Sequence, residues 1–177
     1  MKLKFLSIVA VFAVAACATA PKSAEGKLVM KEDADAALAK AQAADWTLKD
    51  LVAASYGYAV FPSIGKGGFG VGGAYGQGIL YELGGFVGYC DLTQASIGFQ
   101  FGGQTYTEII VFENKDAVDY FKSGNFAFDA QVTAVALKSG ASANAKYSSG
   151  VVIFTMDEGG LMYEASVGGQ KFGYQAK

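Results

Sequence analysis

The chain has no histidine and no arginine, and lysine supplies all 14 of its cationic side chains. Without histidine there is no Ser-His-Asp or Cys-His couple and no imidazole-ligated zinc, and without arginine there is no bidentate clamp on phosphate. Charge is scarce: charged residues make up 17% of 177, the net charge is −2 and the pI is about 5.1. That balance argues against nucleic acid as a partner. Two cysteines cannot build a disulfide framework. Glycine or charge interrupts every apolar window before it reaches the roughly 20 residues of a membrane-spanning helix. What is plentiful is hydrophobic side chains, at 52%, and glycine, at 24 residues. A chain this long and this apolar folds around one core without metal or disulfide.

The first residues read as a secretory leader: Lys2 and Lys4, an apolar run from Phe5 to Val14, then small residues. Val14-Ala-Ala-Cys17 resembles the lipobox of bacterial lipoproteins, in which the cysteine becomes the acylated first residue. On that reading 1–16 is a lipoprotein signal peptide, Cys17 carries lipid, 17–30 is a polar tether, and 31–177 is a single domain. Ala18 stands where the inner-membrane retention signal would place Asp, so the resemblance implies the outer membrane, with the domain in the periplasm. The alternative is a plain periplasmic protein cut at Ala-x-Ala, in which Cys17 is free to pair with Cys90. With Cys17 acylated, Cys90 is expected as a buried small hydrophobe.

Lys31 to Asp45 is alanine-rich, with acids in its first turn, and predicts a helix whose thin apolar stripe is Ala34, Ala37, Leu38 and Ala41. Thr47-Leu-Lys-Asp50 has the form of a capping box and opens a second helix with Leu48, Leu51 and Val52 inward. Trp46, between them, is expected as a packing anchor. From Tyr58 the period becomes two. Tyr58–Pro62 predicts a strand ended by proline. In 69–81 Phe69, Val71, Tyr75, Ile79 and Tyr81 take one face, and Gly70, Gly72, Ala74, Gly76 and Gly78 the other. A glycine-lined face means close approach of another backbone, a barrel corner or a ligand lying flat. Strands follow at 84–90, 95–102 and 105–113, then a short helix, Lys115–Lys122, capped by Asn114 and stopped at Gly124. The stretch 126–137 leans to strand, and 150–156, 160–168 and 170–175 close the chain as β. The expectation is an α+β fold: N-terminal helices packed on a glycine-rich, mostly antiparallel sheet or small barrel.

Gly65-Lys-Gly-Gly-Phe-Gly70 matches G-x-G-x-x-G, but the glycine-rich 71–78 that follows is not the helix that a dinucleotide fingerprint needs. Gly67 after Lys66 excludes a P-loop. Ser63 lacks the nucleophile-elbow setting, and Glu82, Glu108, Glu158 and Glu164 read as solvated strand residues. No catalytic residue, metal or cofactor is nominated.

Gly57-Tyr-Ala-Val-Phe-Pro-Ser63, Gly65–Gly73, Gly76-Gln-Gly78, Ser96-Ile-Gly-Phe-Gln-Phe-Gly-Gly-Gln104 and Ile110-Val-Phe112 resemble the SYLF domain, a family also catalogued by its yeast actin-binding member. The resemblance implies a non-enzymatic α+β domain that binds membrane lipid, phosphoinositides in eukaryotic members, with actin binding in the yeast branch. The Trp-Ser-x-Pro segment of eukaryotic members is missing, so phosphoinositide binding does not carry over. What the resemblance implies here is a glycine-faced surface that accepts phospholipid, with Lys49 and Lys66 the nearest cations to the matching segments and Phe69 or Trp46 the aromatics able to insert. The expected partner is phospholipid or a neighbouring envelope protein. A small transmembrane β-barrel is the alternative, suited to about eight alternating strands.

Overall fold

Ser23 starts the first helix: its Oγ accepts from the Gly26 backbone N–H at 3.0 Å, the bond of an N-cap. The helix, α1, runs Ala24–Ala44, so it begins inside the stretch expected as tether. In this computed structural model the described residues are 19–98, 103–129, 132, 134–157 and 167–177, with the side chains of 68–71, 96–98 and 103 left outside the description. The leader, Cys17, Glu158, Glu164 and residues 160–166 of the strand expected over 160–168 lie outside the described residues, and 167–168 are not strand. After α1 come α2 (Thr47–Ala54), β1 (Gly57–Glu82), β2 (Gly85–Gly98), β3 (Gly103–Phe112), α3 (Lys115–Lys122), β4 (Val135–Ala136), a 3-10 turn (Ser142–Asn144), β5 (Val151–Asp157) and β6 (Gln170–Ala176). The sheet order is β4-β5-β3-β1-β2-β6, antiparallel except for the β4–β5 pair.

β1 is 26 residues long and folds back on itself. Its first arm, 57–67, pairs with β3, and its second, 70–82, pairs with β2. The arms lie against each other. Leu83 N–H donates to the Tyr56 carbonyl at 2.9 Å, and the Tyr58 and Tyr81 rings stack at 4.8 Å. A Cβ on Gly78 would sit 2.5 Å from the Val60 carbonyl oxygen and 2.8 Å from the Phe61 ring; one on Gly76 would sit 2.6 Å from Ile64 Cγ1. The glycine face of 74–78 therefore exists to admit β1's own first arm. Of the three sequence readings, close backbone approach holds, and no flat ligand surface remains at Gly76 and Gly78. Pro62 does not end the strand. It sits at a register irregularity between Phe61 and Ile64, where its missing N–H breaks no ladder bond, and its carbonyl accepts from Thr107 Oγ1 at 2.9 Å.

Both faces of the central strands are buried. One, with Val60, Ile79, Tyr81, Ile109 and Val111, packs under α1 and α2. Ala34, Ala37 and Ala41 are the buried side chains of α1, small enough to bring helix and sheet close. The other face closes over Phe61, Ile64, Leu80, Cys90, Ile110 and Phe112, with Val118 and Phe121 of α3. Of the strand expected over 126–137, Val135–Ala136 forms as β4, and 126–128 pairs with β6 through a single bridge, Ala127 to Lys171, with Phe128 N–H donating to the Gln170 carbonyl at 3.0 Å. The rings of Phe126 and Phe128 pack against Phe172, at separations of 5.5 and 5.1 Å. The fold is α+β, with N-terminal helices on a mostly antiparallel sheet. Among the described residues the strands run from β4 to β6, with Ala127 bridged to Lys171 on the far side of β6, and buried side chains cover both faces of the sheet.

Candidate functional site

The four side chains expected to contact lipid fall into two pairs. Lys66 and Phe69 stand at the reversal of β1. Gly67 pairs with Gly103 on one side of it and Gly70 with Gly98 on the other, so the reversal lies at the same end as the β2–β3 connection. Lys66 is half-buried and Gly65 and Gly67 are exposed, with open space where a Gly65 Cβ would project. The side chain of Phe69 lies outside the described residues. Trp46 and Lys49 form the second pair, three positions apart on one face of α2. Trp46 is 68% exposed, so it is not the packing anchor expected.

The reason is Asp45. Its fully buried carboxylate accepts from Thr47 N–H at 3.1 Å and Thr47 Oγ1 at 2.7 Å, from Gly140 N–H at 3.0 Å, and from Ser142 N–H and Oγ at 2.7 and 2.6 Å. Asp45, not Thr47, therefore caps α2 and locks the helix junction to the 140–142 loop, which leaves Trp46 outside. Burial by itself raises its pKa. The hydrogen bonds from Ser142 and Thr47 and from the backbone of Ser142 and Gly140 outweigh that and hold it at about 2.

The two pairs lie at opposite ends of α1. Its first turns meet the arms of β1 at a cleft of about 360 Å³ lined by Pro21, Gly26, Val29, Pro62, Tyr75 and Gln77, among others. Further along, Tyr81 OH donates to Asp35 at 2.5 Å, and the helix ends at the Trp46 junction. The β1 reversal extends beyond the cleft in the opposite sense. The start of α1 also carries what sequence reading missed. Thr19 O accepts from Gln77 Nε2 at 3.5 Å, Ala20 is buried, and Leu28 and Val29 are 64% and 49% exposed. Ser23 as a cap with Glu25 in the first turn was the available signal.

Among the described residues the other side chains considered for chemistry stand apart. Ser63 is exposed, and Glu82 is paired with Lys122 at 2.5 Å. Residues 65–70 lead into the second arm of β1, not into a helix. Among the described residues no group of three His, Cys, Asp or Glu could hold a metal ion. Glu108 is buried rather than solvated. Gln170 Nε2 donates to its Oε2 at 3.0 Å and to Tyr106 OH at 3.2 Å, while Glu108 Oε1, Thr155 Oγ1 and Gln170 Oε1 lack partners. Burial pushes Glu108 up to about 8, against the opposing pull of Gln170 and Lys66, so it holds its proton at neutral pH. Cys90 is free and buried, and burial raises its thiol pKa further.

Residues 93–176, from β2 to the end of β6, match the family described as Ysc84, Las17-binding protein actin regulator. Beta cell expansion factor A of Aeromonas veronii is 31% identical over 154 residues, covering 86% of this chain and 59% of that protein. Residues 93–176, just under half of the chain, carry a Ysc84 (SYLF) family domain. The SYLF match takes in β3, α3 and the aromatic cluster around Phe172, whereas the motif residues noted from sequence lie mostly in β1. The motif residues at 57–78 lie outside the matched range, and those at 96–104 and 110–112 lie within it. The chain spans just under three-fifths of the bacterial relative's length.

Proposed function

We propose that this chain is an outer-membrane lipoprotein, acylated at Cys17, whose periplasmic SYLF-family domain binds phospholipid and catalyses no reaction. The observation that carries the reading is the reversal of β1. It presents Lys66 and the Phe69 position at the open, glycine-rich end of a long two-armed strand, clear of the covering helices. A cation beside an insertable aromatic suits a bilayer interface: the lysine meets headgroup phosphate and the ring sits at the acyl boundary. The lipobox supplies the anchor, at roughly 0.8 kcal/mol per buried acyl CH₂, so the reversal need add only orientation and modest affinity.

The test is acyl-analogue labelling of the full chain, with Cys17→Ser as control, and vesicle co-sedimentation of the Cys17→Ser protein at low and high salt. Labelling that is lost in Cys17→Ser is expected. Binding is expected to weaken in Lys66→Glu at low salt and in Phe69→Asp at any salt. A chain that takes no label and ignores vesicles ends the reading. A second reading, an envelope protein partner, is favoured by the exposed Trp46 and by Leu83. Leu83 is 75% exposed and held at φ 48°, an unfavourable place for a large apolar side chain on two counts.

A further inference from the structure

We infer that the domain stands on the bilayer with one fixed polarity: the start of α1 and the β1 reversal face the lipid, and the Trp46–Leu83 end faces away. The inference rests on acylation of Cys17 and adds an orientation to it. Only Ala18 lies between Cys17 and Thr19, and two residue steps of extended chain reach about 7 Å. Thr19 is not free to swing. Its carbonyl is held by Gln77, Ala20 is buried at 5% exposure, and Pro21 packs into the cleft beside Gly26 and Val29. From Thr19 on, the stretch expected as a polar tether is therefore docked, and an acyl chain on Cys17 brings this face of the domain to the headgroups.

The surface presented there fits that neighbour. Leu28 and Val29 are two of the five large hydrophobic side chains that stand exposed among the described residues. Lys22 stands exposed beside them and is worth about 1 kcal/mol near an anionic leaflet, while Lys27 lies over the Tyr89 ring at 5.4 Å and Glu25 is exposed between the two lysines. One turn further along, Glu32 and Asp33 are exposed and oppose laying the whole helix flat on such a surface. The end of α1 at Ala44, next to the Trp46 junction, lies about 24 Å farther along the helix axis than Leu28, at 1.5 Å per residue. The polarity thus separates the four residues expected to contact lipid: Lys66 and Phe69 face the bilayer, and Trp46 and Lys49 do not.

The single tryptophan makes this directly measurable. The full acylated chain is reconstituted into vesicles of phosphatidylethanolamine and phosphatidylglycerol doped with a brominated phospholipid, a contact-range quencher. Trp46 in the unaltered protein is expected to keep nearly all of its emission. Leu28→Trp in a Trp46→Phe background, a change at an exposed position, is expected to lose roughly half, as for a ring at the headgroup–acyl boundary. Val29→Trp in the same background repeats the measurement should the first variant fold poorly. Inserting a flexible Gly-Ser segment between Ala18 and Thr19 is expected to relieve the quenching. Equal or stronger quenching of Trp46 overturns the polarity while leaving the anchor intact. Flotation with the vesicles but no quenching at 28 or 29 overturns the facing surface. Failure to float at all removes the lipoprotein reading itself.

Discussion

Replacing Asp45 by Asn probes the junction on which the helical layer depends. The carboxylate is fully buried and receives five hydrogen bonds from Thr47, Gly140 and Ser142. Its pKa is about 2 against an ordinary 3.8, a difference worth about 2 kcal/mol of stability at neutral pH. The sign follows from the depressed value. The contribution is complete above pH 3.8 and is lost as pH falls through about 2. Asn offers one acceptor oxygen and turns an NH₂ toward donors, so the loss at pH 7 should reach about 2.5–4 kcal/mol. For a domain of this size that is a Tm lower by roughly 6–12 °C. Thermal unfolding of the two proteins, followed by circular dichroism between pH 7 and pH 2, reads both parts of the argument. The gap should be widest at pH 7 and close toward pH 2. A Tm unchanged at pH 7, or a gap as wide at pH 2 as at pH 7, refutes the assignment of a charged, five-bonded carboxylate.

Glu108→Gln should act in the opposite sense. With a folded pKa of about 8 against an ordinary 4.5, the wild type loses stability as pH rises through that interval, by about 3 kcal/mol at pH 7. The Gln variant should be the more stable protein at pH 7 and equal to wild type near pH 4, as urea titrations at the two pH values will show. Gly78→Ala sets a methyl 2.5 Å from the Val60 carbonyl oxygen, and chemical denaturation should show a loss of about 1–3 kcal/mol. Cys90, buried in the core, should react with an aromatic disulfide reagent only after denaturant is added; rapid reaction in the native protein contradicts its placement.

Local pattern was enough for much of the chain. Asn114 announces α3, and its Oδ1 does accept from Ala117 N–H at 3.0 Å. The alanine stripe of α1 is buried at Ala34, Ala37 and Ala41, and period-two alternation marks the second arm of β1. These features depend on neighbours within a few residues, where capping and periodicity operate. Of the candidate site, sequence supplied the residue types at Lys66, Phe69, Trp46 and Lys49, but not their separation into two ends.

What the sequence by itself determined is the class of the fold, the covered core and the absence of histidine- and arginine-based chemistry. Only the tertiary structure decided three things. β1 doubles back within an unbroken alternating run, because glycines at 76 and 78 let its own first arm come within contact. Trp46 is expelled to solvent, because Asp45 finds partners 95 and 97 positions away. Thr19 is docked two residues beyond Cys17, because Gln77, 58 positions on, reaches back to it. Each depends on a contact between distant parts of the chain, and such closures leave no local periodicity in the residues they join.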